Sequence, residues 1–383
     1  MSVLLTPAGS EALAAAMEEQ DPGSLAAGER LRGRFPAELA ASAIQQTLLR
    51  RRAVTKFGEA ALDLYFTEDG LQQATRASVA AWRATRFRDL GVTRVFDLGC
   101  GIGADARAFE AAGISVTAVE RDPLTAAYAA KNIKGEVIAA DAEEFWESVA
   151  ELPETATAGV FIDPARRTSK GRTWRVSDFS PSWEFVLSLL ARDGVTCVKL
   201  GPGLPKELIP DGVEALWVSE QASVVEVGLW SGNGTEPGLG ALLLPSGDVL
   251  RRGSTSAKLP VRSPGRFLIE PNGAVIRAGA FAELGAGIWL LDSQIAYLSS
   301  DEALASPFIT NFEILESLPF SVKTLRNWVR TNQVGVLEIK VRGIDVDPAE
   351  LRRELKPKGP NSATLILART VAGTRAFVVR RLV

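Results

Sequence analysis

The sequence predicts an α/β fold, a doubly wound and mostly parallel sheet, with a helical region ahead of it and a smaller α+β module behind. Three observations carry this. Arg94–Asp122, RVFDLGCGIGADARAFEAAGISVTAVERD, reads as strand, glycine turn, helix, strand. Strand and helix patterns go on alternating to about Gly232, the order that builds a parallel sheet with both faces covered. Beyond Gly232 short apolar runs alternate with turn residues, and from Pro319 the pattern is helix, strand, helix, strand, strand.

The 383 residues are long for one domain. Boundaries are expected at 1–90 (helical), 91–232 (parallel sheet), 233–318 (β-rich connection) and 319–383 (α+β). The first region reads as helical. Pro36 suits a first helical turn, and Leu39, Ala43, Leu48 and Leu49 place an apolar stripe along the segment to Arg52. Gly58 breaks it, and Thr67 is placed to cap a second helix running from Glu68 to Arg88.

In the sheet region the strands are Arg94–Leu98, Ser115–Val119 with Glu120 at its carboxyl end, 136–140 ending at Asp141, 159–162 ending at Asp163, and 195–200. Segments 215–219 and 223–230 follow as two strands with a short connection. Helices are expected at 104–111, 123–132 and 181–191. Gly99, Gly101 and Gly103 give the first turn its backbone freedom and keep side chains from a ligand. Acids at strand ends stand where open α/β sheets bind ligands. Downstream, 241–252 reads as a hairpin about Ser246-Gly247-Asp248, and further apolar segments fall at 267–276, 287–292 and 297–299. Helices at 322–331 and 348–355 and strands at 336–341, 363–369 and 375–380 make up the last module.

Composition narrows the chemistry. A 46% hydrophobic and 23% charged chain is ordinary for a soluble protein. No apolar run nears the roughly 18 residues of a membrane span, and no basic segment precedes an apolar leader, so a cytoplasmic location is expected. Cys100 and Cys197 offer no disulfide framework. With no histidine, the commonest general base and metal ligand is absent, and no metal site is expected. The net charge of −3 is uneven: eight Arg or Lys follow Leu351 against Glu354 alone, and Arg30, Arg32, Arg34, Arg50, Arg51, Arg52 and Lys56 form a second basic cluster. Either is a nucleic-acid footprint or a solvated face.

Gly99, Gly101 and Ala104 alone also satisfy the dinucleotide pattern G-x-G-x-x-G/A. Asp97 two residues ahead of Gly99, the D-x-G-x-G-x-G form, together with Glu120 closing the next strand, resembles the class I S-adenosylmethionine (SAM)-dependent methyltransferases. That resemblance implies a seven-stranded Rossmann-like sheet closed by an antiparallel hairpin, and SAM as cofactor. It implies that Asp97, Gly99, Cys100, Gly101 and Gly103 lie against the methionine half, that Glu120 takes both ribose hydroxyls with Arg121 beside it, and that Asp141 with Ala142 meets the adenine. A carboxylate suits the ribose because it only accepts hydrogen bonds and can take two donors. Asp141 opening a helix would look the same in sequence.

Asp163-Pro164-Ala165-Arg166 resembles the Asp or Asn followed by Pro-Pro of enzymes that methylate amino nitrogens and the Asp-Pro-Pro-Arg of RNA m5U enzymes, and matches neither fully. It assigns Asp163, Pro164 and Arg166 to the reaction, where alignment of an attacking amine supplies most of the catalysis. Carbon methylation needs a nucleophilic cysteine, and neither Cys100 in the loop nor Cys197 in a buried strand is placed for it. Arg167, Lys170 and Arg172 with Trp174 form a basic, aromatic segment suited to phosphate contact and base stacking. Lys340-Val341-Arg342-Gly343 and the layout of the last module resemble the THUMP-like domain that follows a class I methyltransferase domain in one bacterial family, and Gln72-Gln73-Ala74-Thr75 resembles a segment of that family. THUMP domains accompany RNA-modifying enzymes. The expectation is therefore methylation of a base nitrogen in tRNA or rRNA. Methylation of a small molecule, or a SAM- or RNA-binding module without turnover, are the alternatives.

Overall fold

The structure is a computed structural model that describes residues 2–166, 176–254 and 258–382, with only the backbone at 166 and 176. The chain forms two compact units, Met1–Ala215 with Glu226–Pro237, and Leu216–Val225 with Gly238–Val383.

The first unit begins with helices α1 (Pro7–Glu18), α2 (Leu25–Arg32), α3 (Ala37–Phe57), α4 (Glu68–Gln73) and α5 (Ala77–Asp89). Thr67 caps α4 by accepting the Gly70 N–H, as its position suggests. The single helix expected from Glu68 to Arg88 is instead two. Ala74 and Arg76 are extended, and Thr75 between them donates its hydroxyl to the buried Asp105 at 2.6 Å. A tertiary hydrogen bond, not a glycine or proline, makes that break.

The sheet contains β1 (Arg94–Leu98), β2 (Ser115–Glu120), β3 (Glu136–Ala139), β4 (Gly159–Ile162), β5 (Thr196–Leu200), β6 (Glu214–Glu220) and β7 (Ser223–Ser231). Their spatial order is β3-β2-β1-β4-β5-β7-β6, and the same sheet continues past β6 into a further hairpin at 238–251, nine strands among the described residues where seven are expected. The first five run parallel and β7 lies antiparallel to β5. The division between the units falls inside the β6–β7 hairpin. Helices α6 (Ala104–Ala111), α7 (Pro123–Asn132), α8 (Ala142–Val149), α9 (Pro153–Thr157) and α10 (Trp183–Leu190) connect the strands. Central strands buried on both faces must be apolar throughout, and β4, Gly-Val-Phe-Ile, is buried at every position. One core joins Phe87 of α5, Phe109 of α6, Phe161 of β4 and Trp230 of β7, with Phe87 edge-on to Phe109 at 5.2 Å. Helix α5 is thus bound to the sheet.

The basic cluster 30–56 is largely consumed inside this unit. Arg30 pairs with Glu19, Arg52 with Glu68, Arg50 donates to the Leu64 carbonyl, and Lys56 donates to the carbonyls of Leu71 and Gln72 at the end of α4. These contacts tie helices together, while Arg30 and Arg52 stay more than half exposed.

In the second unit β8 (Gly238–Leu244) and β9 (Val249–Arg251) form the expected hairpin. A seven-stranded sheet follows, built from β10 (Phe267–Pro271), β11 (Ile288–Leu290), β12 (Leu298–Ser300), β13 (Ile309–Pro319), β14 (Val334–Arg342), β15 (Asn361–Thr370) and β16 (Gly373–Arg381), in the order β11-β12-β10-β13-β16-β15-β14. After β10 comes the short α11 (Gly273–Ala278), and α12 (Val322–Thr331) and α13 (Pro348–Leu355) cover one face through Leu325, Val329, Leu351 and Leu355. Strand β13 has no counterpart in the sequence reading: its residues are mostly half-exposed and carry no clean alternation. Of the terminal basic residues, Arg380 pairs with Glu313 and Arg369 with Asp292.

Candidate cofactor and active site

The carboxyl ends of β1, β2, β3 and β4 open on one cavity of 560 Å³ in the first unit. Its floor is the turn after β1. The N–H groups of Gly99 and Cys100 donate to the Val119 carbonyl at 2.8 and 2.9 Å, which fastens the turn to the end of β2. Gly99 (φ 82°) and Gly101 (φ 55°) need the left-handed region that glycine enters at no cost, and a Cβ at Gly101 would meet nothing within 4 Å. The turn presents bare backbone to open space.

Glu120 braces this turn. One carboxylate oxygen accepts the Gly101 N–H at 3.0 Å and the other the Asp122 N–H at 2.8 Å. Each oxygen keeps acceptor capacity for a hydroxyl. Asp141 accepts the Glu143 N–H at 2.9 Å and so caps α8, while also lining the cavity beside Ala142. The capping role is thus met in the geometry, and the same residue faces the cavity. Arg121 lines the cavity and donates to Ser180 at 3.1 Å.

Asp97 lines the same cavity from the interior. It is 0% exposed, and neither carboxylate oxygen has a hydrogen-bond partner among the described residues. Burial first, then the neighbouring Asp105 and Asp163, push its carboxyl well above the usual carboxylate range. Around it lies a buried network. Arg83 of α5 pairs with both Asp105 of α6 and Glu226 of β7, and its guanidinium sits 4.6 Å from the Phe161 ring centre. Burial works against the Arg83 charge, but those two carboxylates outweigh it and raise its pKa.

Asp163, at the end of β4, gives Oδ2 to the Lys199 ammonium at 2.5 Å, and Lys199 also donates to the Gln73 carbonyl at 3.3 Å. Burial disfavours the Lys199 charge, and Asp163, Asp105 and Glu226 more than restore it. Lys199 was absent from the sequence reading. Its signal was a cation inside Thr-Cys-Val-Lys-Leu, an otherwise apolar strand ahead of Gly201-Pro202-Gly203. The wall made by α4 was likewise not foreseen as part of the site: Thr67, Glu68, Asp69, Gly70, Gln73 and Thr75 all line the cavity.

Of the candidate residues, Asp97, Gly99, Cys100, Gly101, Glu120, Arg121, Asp141, Ala142 and Asp163 line this one cavity. Gly103 stands behind it as the cap of α6, and Pro164 is buried next to Asp163 outside the lining. Arg166 pairs its backbone with Phe179, and Ala165 with Ser180, so the two flanks of 167–175 meet at the cavity rim. The Arg166 side chain and Arg167, Lys170, Arg172 and Trp174 lie outside the described residues.

Both thiols are shut down. Burial, with Asp97 and Glu120, holds Cys100 well above the usual thiol range, and burial pushes Cys197 up to about 12. Among the described residues no group of three His, Cys, Asp or Glu side chains could hold a metal ion, and no helix is long and apolar enough to cross a membrane.

An uncharacterized SAM-dependent methyltransferase of Mycobacterium tuberculosis, represented in strains H37Rv and CDC 1551, is 34% identical over 362 residues, spanning 91% of this chain and 98% of that one. The chain belongs to this family of SAM-dependent methyltransferases. A crystal structure of a protein assigned as a methyltransferase from Porphyromonas gingivalis W83 shares the fold, with a TM-score of 0.77 and 23% identity over 97% of this chain and 98% of that one. Residues 309–381 match the THUMP domain-like family, and residues 1–53 match a domain of unknown function. SAM is therefore the cofactor of this methyltransferase. The cavity fits it: a bare glycine turn, a carboxylate with open acceptor sites, and a buried unpaired acid suit a ligand that carries hydroxyls and positive charge.

Proposed function

We propose that this methyltransferase binds SAM in the 560 Å³ cavity and transfers its methyl group to a base nitrogen in RNA. The observation that carries the reading is Asp163. Its Oδ2 is held by Lys199, and its backbone carbonyl lies 3.9 Å from where a Cβ on Gly99 would stand, so the acid sits directly over the glycine turn.

Bound SAM supplies an electrophilic methyl on a sulfonium, which an amine can take without metal or covalent help. The chain's part is placement. Asp163 Oδ1, with no hydrogen bond among the described residues, accepts an N–H of the target amine and so points the nitrogen lone pair away from the carboxylate and into the cavity. Gly99 and Gly101 let cofactor and acceptor approach along the turn. Glu120 holds the ribose and Asp97 receives positive charge. The two silent thiols argue against addition to a pyrimidine carbon, and the likeness of Asp163-Pro164 to the motif of amino-nitrogen methyltransferases favours nitrogen. Support for RNA comes from the THUMP-like match and from the basic run Arg167, Lys170, Arg172 with Trp174 that the sequence places just after Asp163.

The test uses labelled SAM with total RNA from a strain lacking the gene. One N-methylated nucleoside, missing in that strain and restored by the protein, is expected. Label that enters small molecules and never RNA would overturn the RNA reading and leave the cofactor site standing.

A further inference from the structure

We infer that the cavity admits its cationic cofactor by exchange for the proton of Asp97, so that SAM binding is coupled to proton release. This rests on the reading that SAM occupies the cavity described above.

The geometry is unusual in one respect. A buried carboxylate is ordinarily paired or hydrogen-bonded, because an isolated charge in a low-dielectric interior is very costly. Asp97 is fully buried, lines the cavity, and has neither kind of partner among the described residues. The groups around it are committed elsewhere. Asp105 on α6 takes Arg83 and Thr75, Glu226 on β7 takes Arg83, and Asp163 after β4 takes Lys199. The Cys100 thiol and Glu120 face the cavity from the turn and from β2 and bring no cation. Four carboxyl groups, Asp97, Asp105, Asp163 and Glu226, thus share two cations, Arg83 and Lys199. With four acids to two cations the cluster is two positive charges short, and Asp97 is the acid that neither cation pairs with.

A proton on Asp97 is the simplest occupant of that deficit, and the direction in which burial, Asp105 and Asp163 push this acid agrees. SAM brings a sulfonium and an ammonium. When either positive centre lies against Asp97, the ligand supplies the missing charge, Asp97 ionises, and its proton passes to the buffer. Nothing is oxidised or reduced, and no covalent bond other than O–H breaks. A ligand that binds one protonation state preferentially shifts that equilibrium, and the equilibrium shifts the ligand's affinity by the same factor.

The measurement is isothermal titration of the full chain with SAM in phosphate and in Tris, whose ionisation enthalpies differ, from about pH 5.5 to about pH 9. The expected result is release of close to one proton per SAM across part of this range. There the affinity rises about tenfold per pH unit, levelling off at higher pH. Asp97→Asn should bind SAM without that release, with an affinity flat in pH up to the titration of the ligand's own α-amino group at about pH 8. Asp163→Asn, which removes a like charge from beside Asp97, should move the window of release to lower pH. No release at any pH in the wild type, the same release from Asp97→Asn, or an unmoved window in Asp163→Asn would each overturn the inference. Glu120→Gln separates the two readings. If it weakens SAM binding while the wild type releases no proton, the exchange alone fails. If Glu120→Gln and Asp97→Asn both bind SAM as the wild type does, the cofactor lies elsewhere and the site assignment fails too.

Discussion

Lys199 carries the sharpest expectation at the scale of single residues, because it alone joins Asp163 to the end of α4. In Lys199→Met the carboxylate loses its anchor. Hydrogen bonds to charged groups are worth roughly 1.5 to 3 kcal/mol, so turnover on RNA should fall about tenfold to a hundredfold while SAM affinity, compared at a pH where binding releases no proton in either protein, stays near that of the wild type. Lys199→Arg should restore part of the loss. A fall in SAM affinity matching the fall in turnover would show that Lys199 serves the cofactor instead. Glu120→Gln exchanges one acceptor oxygen for a donor, and that nitrogen would face either the Gly101 or the Asp122 N–H. Loss of a charged acceptor for ribose should weaken SAM about tenfold to a hundredfold, read by calorimetry. Cys100→Ala, by contrast, should keep methyl transfer within a few-fold, since that thiol is held protonated. A dead Cys100→Ala that still binds SAM would restore the covalent route.

At the scale of elements, α4 is the piece whose contribution the structure adds. Gly70 sits against the glycine turn so closely that a Cβ there would meet Ile102 Cγ2 at 2.5 Å and the Thr67 hydroxyl oxygen at 2.6 Å. Gly70→Ala should push α4 outward at an overpacking cost of about 1 to 3 kcal/mol, lowering both melting temperature and SAM affinity. An unchanged affinity in calorimetry would show that α4 is a bystander. The parallel strands were legible in the sequence because each is an apolar run that stops at an acid or a glycine, as at Leu98-Gly99, Val119-Glu120 and Ile162-Asp163. The Thr67 cap was legible too, since it accepts the Gly70 N–H three residues on. What stayed hidden depends on partners far along the chain. The break at Thr75 answers Asp105, thirty residues away. Strand β13 is fixed by ladders to β10 and β16 and not by its own pattern. Lys199 looked like a stray charge until its carboxylate partner was placed beside it.

On the scale of the whole molecule, the unpaired acid at the cavity floor should leave a mark on stability. An acid whose carboxyl is raised on folding keeps its proton to higher pH in the folded state than in the unfolded chain. Between the ordinary value of 3.8 and that raised value the folded state binds more protons, so stability falls as pH climbs through the window. Each unit of that window is worth about 1.4 kcal/mol. Asp97→Asn removes this dependence: without SAM it should melt higher relative to the wild type at pH 8 than at pH 4. Differential scanning calorimetry at the two pH values checks this, and equal differences at both would mean that Asp97 is ionised throughout.

The pairing of Asp105 and Glu226 with a single guanidinium on α5 bears on any attempt to cut the protein down. A fragment begun at Gly91 would retain the glycine turn, the acids at the strand ends and the whole parallel sheet. It would nevertheless leave two carboxylates in the interior with no cation, and Asp105 without the Thr75 hydroxyl as well. Stranding a buried charge costs about 3 to 5 kcal/mol, a large share of the 5 to 15 kcal/mol by which a domain is stable. The shortest stretch able to fold around SAM accordingly starts ahead of Thr67, and a chimera that borrows this sheet must borrow α4 and α5 with it.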